Sequence, residues 1–503
     1  MIIVRPERWL AGATLLLGTG AWLTYLQQGL VLSHYDAKAH LVVARRVVDS
    51  LTPGWQQLGA VWLPLPHLIQ ILPTQVDLFY RTGAFGSLLS IAAFGVSVWA
   101  AARLVHLMTG SPLGAVTTAA LLALNPNLLY LQSTPMTEPL LLALTLLAVL
   151  WLYESLTGTE PSPHRTALKL GCALFGAMWT RYEAWPIVVA AIALATLADL
   201  AFVRRRPTLR PGLIAWPAAA VLLFVINSRI TVGSWFVSGG FYERDPIYDG
   251  QFWRSLIAVW WGTHQLSGYA IELIALIAAA ILVIRTVRRQ TPAASILPLA
   301  LFAAGSLPFY AFYSGHPFRV RYMVPMVAAC AVFCGIGVGL LRQSSGGQAA
   351  SHGRHTVYGA LLATILIASS IVESPPWKND TPLLQEAQWD VPRARERRAV
   401  TACLAPRYHG EKVMASMGSL AHYMQELSQE GFAIRDFLHE GNGSIWQLAI
   451  ETGPAGYAGW MLVEEQSEGG DVLAQRVRED TAFTDPRHAV SEGGGLALYE
   501  RTE

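Results

Sequence analysis

The sequence predicts an α-helical membrane protein with many spans, followed by a small C-terminal α/β domain. Of the 503 residues, 53% are hydrophobic and only 14% are charged, whereas soluble domains carry nearer a quarter charged residues. Apolar runs long enough to cross a bilayer recur as far as residue 373. We therefore expect a membrane domain over residues 1–373 and a second domain over residues 374–503.

The apolar runs predict about eleven spans, because each can cross a hydrocarbon core of ~30 Å. The third, fifth and seventh runs are short, so their ends are the least defined. The predicted spans are 9–32, 82–107, 112–130, 138–156, 166–180, 184–203, 211–227, 268–285, 293–313, 323–342 and 356–373.

Basic residues recur in every second loop, and an excess of Lys and Arg marks the cytoplasmic side of a membrane. With eleven spans, the residues after the last span then lie on the opposite side. We expect a multi-pass protein of the cell inner membrane, with its active site and C-terminal domain facing the periplasm. The basic residues are Arg5, Arg8, Arg103, His106, Arg165, Lys169, Arg204, Arg205, Arg206, Arg210, Arg285, Arg288, Arg289, Arg342 and Arg354.

Two regions on the other side predict structure outside the bilayer core. In the first loop, 33–81, the amphipathic stretches 37–50 and 55–72 are typical of helices lying in the membrane interface. In the tail, segments with strand and helix patterns alternate, which predicts a small α/β domain. We expect helices over 393–404, 419–430 and 471–479, and strands over 412–416, 459–464 and 496–499.

Composition and motifs exclude several functions. The net charge of +2 leaves no broad basic surface for nucleic acid, so membrane lipids are the expected surroundings. The chain contains no GxxxxGK[ST] phosphate loop and no HExxH zinc-protease motif.

Ionisable residues at the outer ends of spans are the candidates for chemistry, because charges at membrane depth are costly. Asp36 follows the first span in Ser33-His34-Tyr35-Asp36. It is a candidate catalytic base, or else only an N-cap for the following helix. His40 lies one turn further on, either as a metal ligand or relay or as an interfacial residue.

Three further candidates lie at the outer ends of the fourth and fifth spans. Glu138 begins the fourth span and is either a site for an acceptor or metal, or a helix N-terminal acid with Thr137 as cap. Arg181 and Glu183 interrupt the apolar run between the fifth and sixth spans. They are either part of the site or a surface ion pair of little energetic weight.

Arg319 and Arg321, with Tyr322, precede the tenth span and are the basic exception on the outer side. The distribution of charge disfavours two arginines there, so a phosphate is an expected partner. Snorkelling towards lipid headgroups is the alternative.

The loop 238–254 contains glycines, aromatic residues and mixed charges. This composition is typical of a mobile loop that orders over a substrate, with a passive loop as the alternative. The charged and aromatic residues in question are Tyr242, Glu243, Arg244 and Asp245.

In the order of these segments along the chain and in the side of the membrane on which they are expected, the sequence resembles the polyprenyl-phosphate-sugar-dependent glycosyltransferases of the GT-C class. This class includes protein O-mannosyltransferases and lipid A aminoarabinose transferases. The resemblance covers most of the chain. The matching pieces are Tyr35-Asp36, Thr137-Glu138-Pro139, Thr180-Arg181-Tyr182-Glu183 and Arg321-Tyr322-Met323-Val324-Pro325.

The resemblance implies an inverting transfer of a sugar from a polyprenyl phosphate donor to a glycan, lipid or protein hydroxyl. It implies Asp36 as general base, Glu138 near the acceptor or a metal, and the arginine before the tenth span on the donor phosphate. Many relatives carry a double acid where this chain has Asp36-Ala37, and proline where Tyr182 stands. The first departure weakens the case for a tightly bound divalent cation, Mg or Mn, and leaves metal dependence open.

Other functional classes of membrane protein predict different sequence features. A lipid or polysaccharide transporter or flippase usually shows repeated halves and charged residues at mid-span, and neither is evident here. A structural subunit would not explain the acids and arginines on one side. A glycan ligase with a lipid pyrophosphate donor is the closest rival and would rely more on arginines.

Overall fold

Long apolar helices account for most of the chain, as the apolar runs predict. In a computed structural model, the residues described are 6–159, 163–200, 211–237, 242–343, 349–465, 467, 470–485, 487–493 and 495–502. Among these residues, eight helices are long and apolar enough to cross a membrane. They are Pro6–Gln27, Ala84–Thr109, Glu138–Thr157, Leu213–Val232, Tyr269–Val287, Ala293–Tyr313, Val320–Leu341 and Thr356–Glu373.

The other three predicted spans contain the shorter helices Pro112–Ala123, Pro163–Met178 and Ala184–Ala198. The third span is interrupted because Asn125 caps a separate helix, Pro126–Leu131, by accepting hydrogen bonds from the next backbone N–H groups. Part of the sixth, beyond residue 200, lies outside the described residues. Each of the eleven predicted segments therefore contains a helix.

The stretch 228–267 lies between the seventh and eighth predicted spans and was therefore expected to be a loop. This expectation is wrong in its second half, where Phe252–Ser267 is a helix. Small residues such as Ala258 and Gly262 are buried along one face, whereas Trp253 and Trp260 are exposed on the other. An exposed aromatic face suits lipid contact. Of the predicted mobile loop, residues 238–241 lie outside the described part, and 242–245 have no regular structure; mobility stays a prediction.

Contacts between Cα atoms divide the chain into two units. The first comprises Met1–Gln28, Ser87–Leu223 and Pro246–Glu386, and contains most of the apolar helices. The second comprises Gly29–Gly86, Phe224–Asp245 and Ala387–Glu503. A boundary at residues 373 and 374 stays a prediction, and the second unit combines the predicted first loop with most of the tail.

The second unit contains a five-stranded sheet of order β2-β1-β3-β5-β4. Its strands are β1 Val413–Ala415, β2 Phe437–Leu438, β3 Trp460–Glu464, β4 Arg487–Gly493 and β5 Leu496–Arg501. β1 is parallel to β2 and β3, and β5 is antiparallel to β3 and β4. The helices are Tyr35–Arg46, Leu65–Gln70, Asp77–Thr82, Val391–Leu404, Met417–Leu427, Ser444–Thr452 and Val472–Glu479.

The predicted α/β character of the tail is confirmed, with its three helices and three strands found within a few residues of their expected bounds. β2, β4 and the helix Ser444–Thr452 were not predicted. β2 has only two residues, too few for an alternating pattern to be recognised.

Candidate functional site

Glu138 begins its helix, as predicted, with Pro139 in the first turn. The side chain of Thr137 does not cap this helix. Its hydroxyl oxygen instead accepts a hydrogen bond of 3.0 Å from Nη1 of Arg181. The Glu138 residue has no solvent exposure (0%), and neither of its carboxylate oxygens accepts a hydrogen bond within the described part of the chain. A buried carboxylate in this state is unusual and indicates a functional site.

Arg181 lies in the short loop between the helices that end at Met178 and begin at Ala184. Its Nη1 is 3.0 Å from Oε1 of Glu138, and its Nη2 is 2.8 Å from Oε1 of Glu183. Burial opposes the charge of Arg181, but the carboxylates of Glu138 and Glu183 raise its pKa overall. Glu183 is only 2% exposed, so the alternative of a surface ion pair is wrong.

Arg321 lies in the 3-10 turn Val320–Met323 and is 6% exposed. Its Nε is 3.9 Å from carboxylate oxygens of both Glu138 and Glu386. The second oxygen of Glu386 accepts a hydrogen bond of 2.5 Å from the backbone N–H of Val320. This burial argues against snorkelling. The Glu138 cluster, as we name it, comprises Glu138, Arg181, Glu183, Arg321 and Glu386.

Arg319 immediately precedes this turn, and Tyr322 lies within it. Nη1 of Arg319 donates to the carbonyl oxygen of Phe318 at 3.1 Å. The Tyr322 hydroxyl is 3.1 Å from Nε2 of His316, and its ring centroid is 5.5 Å from the Arg321 guanidinium.

The structure thus brings together four of the predicted residues and adds Glu386, which the sequence analysis missed. Glu386 lies in the short helix Pro382–Ala387, in a proline-rich stretch with no distinguishing pattern. Its contact with the backbone of Val320 spans 66 residues. No local signal could have identified it.

Asp36 lies inside the first turn of the helix Tyr35–Arg46, which we name the Asp36 helix. The prediction that Asp36 is the N-cap is wrong. His34 is the cap, because its Nδ1 accepts a hydrogen bond of 3.0 Å from the backbone N–H of Asp36. The Asp36 residue is 7% exposed, so its carboxylate is held in a largely buried position.

His40, one turn along this helix, is buried against another histidine. Its Nδ1 is 3.0 Å from Nε2 of His67, and the Trp62 ring centroid is 4.5 Å from the His40 ring centroid. Burial, assisted by the charge of Arg46, lowers the pKa of His67 to about 3. His67 is therefore neutral near pH 7, and the contact between the two rings is a hydrogen bond.

The described residues contain no group of three or more His, Cys, Asp or Glu side chains that could hold a metal ion. Within the Glu138 cluster, arginines take the positions beside the carboxylates that a cation would need. The Glu138 cluster therefore does not fit a divalent metal, and metal dependence of the protein stays a prediction.

Comparison with known proteins identifies the fold. No family profile and no curated protein sequence matches the chain. The crystal structure of ArnT from Cupriavidus metallidurans in the apo state matches at 13% identity and a TM-score of 0.62, over 97% of this chain and 98% of that one. ArnT bound to undecaprenyl phosphate matches at 10% identity and a TM-score of 0.58, over 96% and 97%. This chain is therefore an integral membrane protein with the fold of a GT-C glycosyltransferase.

Proposed function

We propose that this protein is an inverting glycosyltransferase that moves a sugar from a polyprenyl phosphate to a hydroxyl group of a glycan, lipid or protein. One observation carries the proposal: the chain shares its fold, over nearly the whole length of both proteins, with a transferase whose structure contains undecaprenyl phosphate. A polyprenyl phosphate sugar fits this fold because apolar helices can accommodate the lipid tail beside a polar headgroup.

The proposed reaction is a single displacement at the anomeric carbon. The acceptor oxygen forms a bond to that carbon while the bond from the carbon to the phosphate oxygen breaks. Attack from the face opposite the phosphate inverts the configuration. The Asp36 carboxylate takes the proton of the acceptor hydroxyl, and the products are the glycoside and polyprenyl phosphate.

The Glu138 cluster supplies the remaining groups in this proposal. Arg321, with Arg181 and the nearby Arg319 and Tyr322, stabilises negative charge on the departing phosphate. Glu138 accepts a hydrogen bond from a hydroxyl of the sugar or acceptor, because its buried oxygens accept none from the described residues. Glu183 holds Arg181 in place through contacts of 2.8 to 3.2 Å.

We place the reaction at the periplasmic face of the inner membrane. The support is the alternation of basic loops along the sequence. Nucleotide sugars are unavailable outside the cytoplasm, so a lipid-carried donor suits that side. The proposed steps use this chain's own side chains. Metal dependence is tested separately, by comparing turnover in EDTA with turnover in added Mg²⁺ or Mn²⁺.

The test is turnover of a labelled polyprenyl phosphate sugar by the purified protein in lipid nanodiscs. We expect polyprenyl phosphate to be released, and Asp36→Asn to lower kcat by at least about 100-fold because the proton has no acceptor. Asp77→Asn is the matched control, since Asp77 is an exposed acid of the same unit that pairs with Arg45. It should keep wild-type turnover.

Three outcomes would contradict the proposal. Full activity of Asp36→Asn would remove Asp36 from the mechanism. Release of polyprenyl pyrophosphate from a pyrophosphate donor, without turnover of the monophosphate, would indicate a ligase. Movement of the intact lipid across the bilayer without chemical change would indicate a flippase.

A further inference from the structure

The Asp36 helix presents two different faces to its surroundings. Tyr35, Lys38, Ala39 and Val42 recur at the helical spacing of three and four residues, so they share one face. Asp36 and His40 lie about 100° further round, on the adjacent face. The buried residues Ala39 and Val42 belong to the same hydrophobic core as residues of the sheet and of the helix Met417–Leu427. The C-terminal part of the second unit therefore packs against the face that Asp36 does not use.

Two hydrogen bonds join the first turn of the Asp36 helix to the helix Met417–Leu427. The hydroxyl of Tyr35 donates to the carbonyl oxygen of Met417 at 2.9 Å. The Lys38 Nζ donates to Nδ1 of His422 at 3.1 Å. The rings of Tyr35 and His422 also lie in contact, with centroids 4.9 Å apart. These contacts flank Asp36 in the sequence, one residue before it and two residues after it.

His422 is itself held by a buried chain of charges that ends on the sheet. Its Nε2 donates to Oδ2 of Asp390 at 2.8 Å, which leaves Nδ1 as the acceptor for Lys38. Asp390 also pairs with Nη1 of Arg397 at 2.5 Å. Arg397 in turn donates to both oxygens of Glu464, at 2.5 and 3.2 Å. We name Lys38, Asp390, Arg397, His422 and Glu464 the Asp390 cluster.

The amino group of Lys38 lies in a mixed electrostatic environment. Burial lowers its pKa, the charges of Glu426 and Asp390 oppose this change, and Arg397 and Arg398 add to it. Side chains two residues apart on a helix point about 200° apart, so Lys38 is directed away from the Asp36 carboxylate. Lys38 is therefore placed to hold the helix rather than to touch a substrate.

We propose that Lys38 and His422 are positioning residues that fix the first turn of the Asp36 helix, so that the C-terminal part of the second unit sets the position of the catalytic carboxylate. This inference rests on the proposed function, because it takes Asp36 as the base. It gives the C-terminal region a role in catalysis without contact with the reacting atoms. A small displacement of a base is enough to lower turnover strongly.

The experiment compares four single variants of the full-length protein in nanodiscs, together with the double variant Lys38→Met/His422→Gln. Lys38→Met removes the amino group and keeps the length of the side chain. In His422→Asn the amide oxygen takes the place of Nδ1, whereas in His422→Gln only the position of Nε2 is kept. Lys378→Met is the matched control, because Lys378 forms an ion pair of 3.0 Å with Asp380 and both side chains are 56% exposed.

We expect Lys38→Met and His422→Gln to lower kcat by about 10- to 100-fold with little change in the KM for the donor. His422→Asn should recover much of the loss, and the double variant Lys38→Met/His422→Gln should be no slower than the slower single variant. Hydrogen exchange should become faster in residues 33–40 of both single variants, and by a larger factor than in the strands β1 and β3. Lys378→Met should match the wild type in every measurement.

Two results would overturn the positioning role. One is a wild-type kcat for Lys38→Met, and the other is exchange in residues 33–40 that does not change in that variant. Failure of the proposed function is distinguishable, since it would appear as an inactive wild type. In that case the exchange measurement alone decides whether Lys38 and His422 hold the helix.

Discussion

The two buried charged clusters of this protein contain similar residue types and differ in how their carboxylates are satisfied. In the Asp390 cluster, Glu464 accepts hydrogen bonds from Arg397 and from the hydroxyl of Tyr423. In the Glu138 cluster, Glu138 is held by ion pairs with Arg181 and Arg321, and its oxygens accept no hydrogen bond from the described residues.

This difference separates a structural role from a functional one. Leaving a buried acceptor without a hydrogen bond costs about 1–3 kcal/mol, so such a group persists where a ligand can use it. A buried carboxylate whose two oxygens both accept hydrogen bonds, such as Glu464, has by contrast a structural role, because removal of its partner leaves its charge uncompensated. We therefore expect the Asp390 cluster to contribute stability in addition to the positioning role of Lys38 and His422, and Glu138 to contribute mainly to activity.

The largest expected effect is on folding of the second unit. Arg397→Met leaves Asp390 and Glu464 buried without their shared cation, and we expect unfolding to become about 3–5 kcal/mol easier. The measurement is urea unfolding followed by tryptophan fluorescence. As a control, Arg407→Met removes an exposed ion pair with Glu500 of 3.5 Å, which should cost less than about 1 kcal/mol. Equal stability of the two variants would show that the Asp390 cluster is not structural.

The next effect is on catalysis by the first unit. Glu138→Gln keeps the shape of the side chain and removes its charge, so we expect kcat to fall about 100-fold, or about 2.7 kcal/mol in the activation barrier. Arg181 keeps its contacts with Glu183, so the melting temperature should change little. Glu183→Gln should have the larger effect on melting temperature, because it removes the negative charge and one of the two oxygens that accept hydrogen bonds from Arg181. The reverse order of melting temperatures would contradict the distinction drawn between these two acids.

The smallest expected effect concerns pH. Burial lowers the pKa of His422 to about 4, although its hydrogen bond to Asp390 opposes this change. In the unfolded state the histidine binds a proton near pH 6.5, so between pH 6.5 and pH 4 the unfolded state holds more protons than the folded state. The folded state therefore loses stability as the pH falls through this range. His67 and His439, with pKa values lowered to about 3, contribute in the same direction.

The contribution of His422 to the pH dependence of stability can be isolated by comparing the wild type with His422→Gln. We expect the loss of unfolding free energy caused by His422→Gln to be larger at pH 7 than at pH 4, because the wild type loses its advantage as pH falls. Asp390 acts at lower pH: burial would raise its pKa, but hydrogen bonds from His422 and Arg397 lower it to about 2. Its stabilisation is therefore lost below about pH 3.8. If His422→Gln lowered the free energy of unfolding at pH 4 by as much as at pH 7, or by more, His422 would not be the source of this pH dependence.

Several elements could be predicted because their signals are local. Glu138 and Arg181 stood out as charges at the ends of apolar segments, and the structure brings them within 3.0 Å. Arg321 stood out as a basic residue on the side where basic residues are rare. The tail was recognisable from segments such as Trp460–Glu464, whose β-branched and apolar residues are typical of a buried strand.

The remaining features depend on partners distant in the sequence. The contact between Lys38 and His422 spans 384 residues, and no periodicity connects them. Capping of its own helix was one of the two roles expected for Asp36, but the residue two positions earlier is the cap, since a cap depends on where the backbone becomes helical. The aromatic helix Phe252–Ser267 was missed because its exposed face carries the residues expected in a core.

By itself, the sequence determined the membrane-spanning architecture, because a bilayer requires apolar segments of a set length with all backbone groups paired internally. It also determined which charges lie at the ends of those segments. Only the tertiary structure decided that Glu386 joins the Glu138 cluster and that the Asp36 helix belongs to the second unit. Packing decides such partnerships, since short-range side-chain contacts between distant segments leave no pattern in the chain.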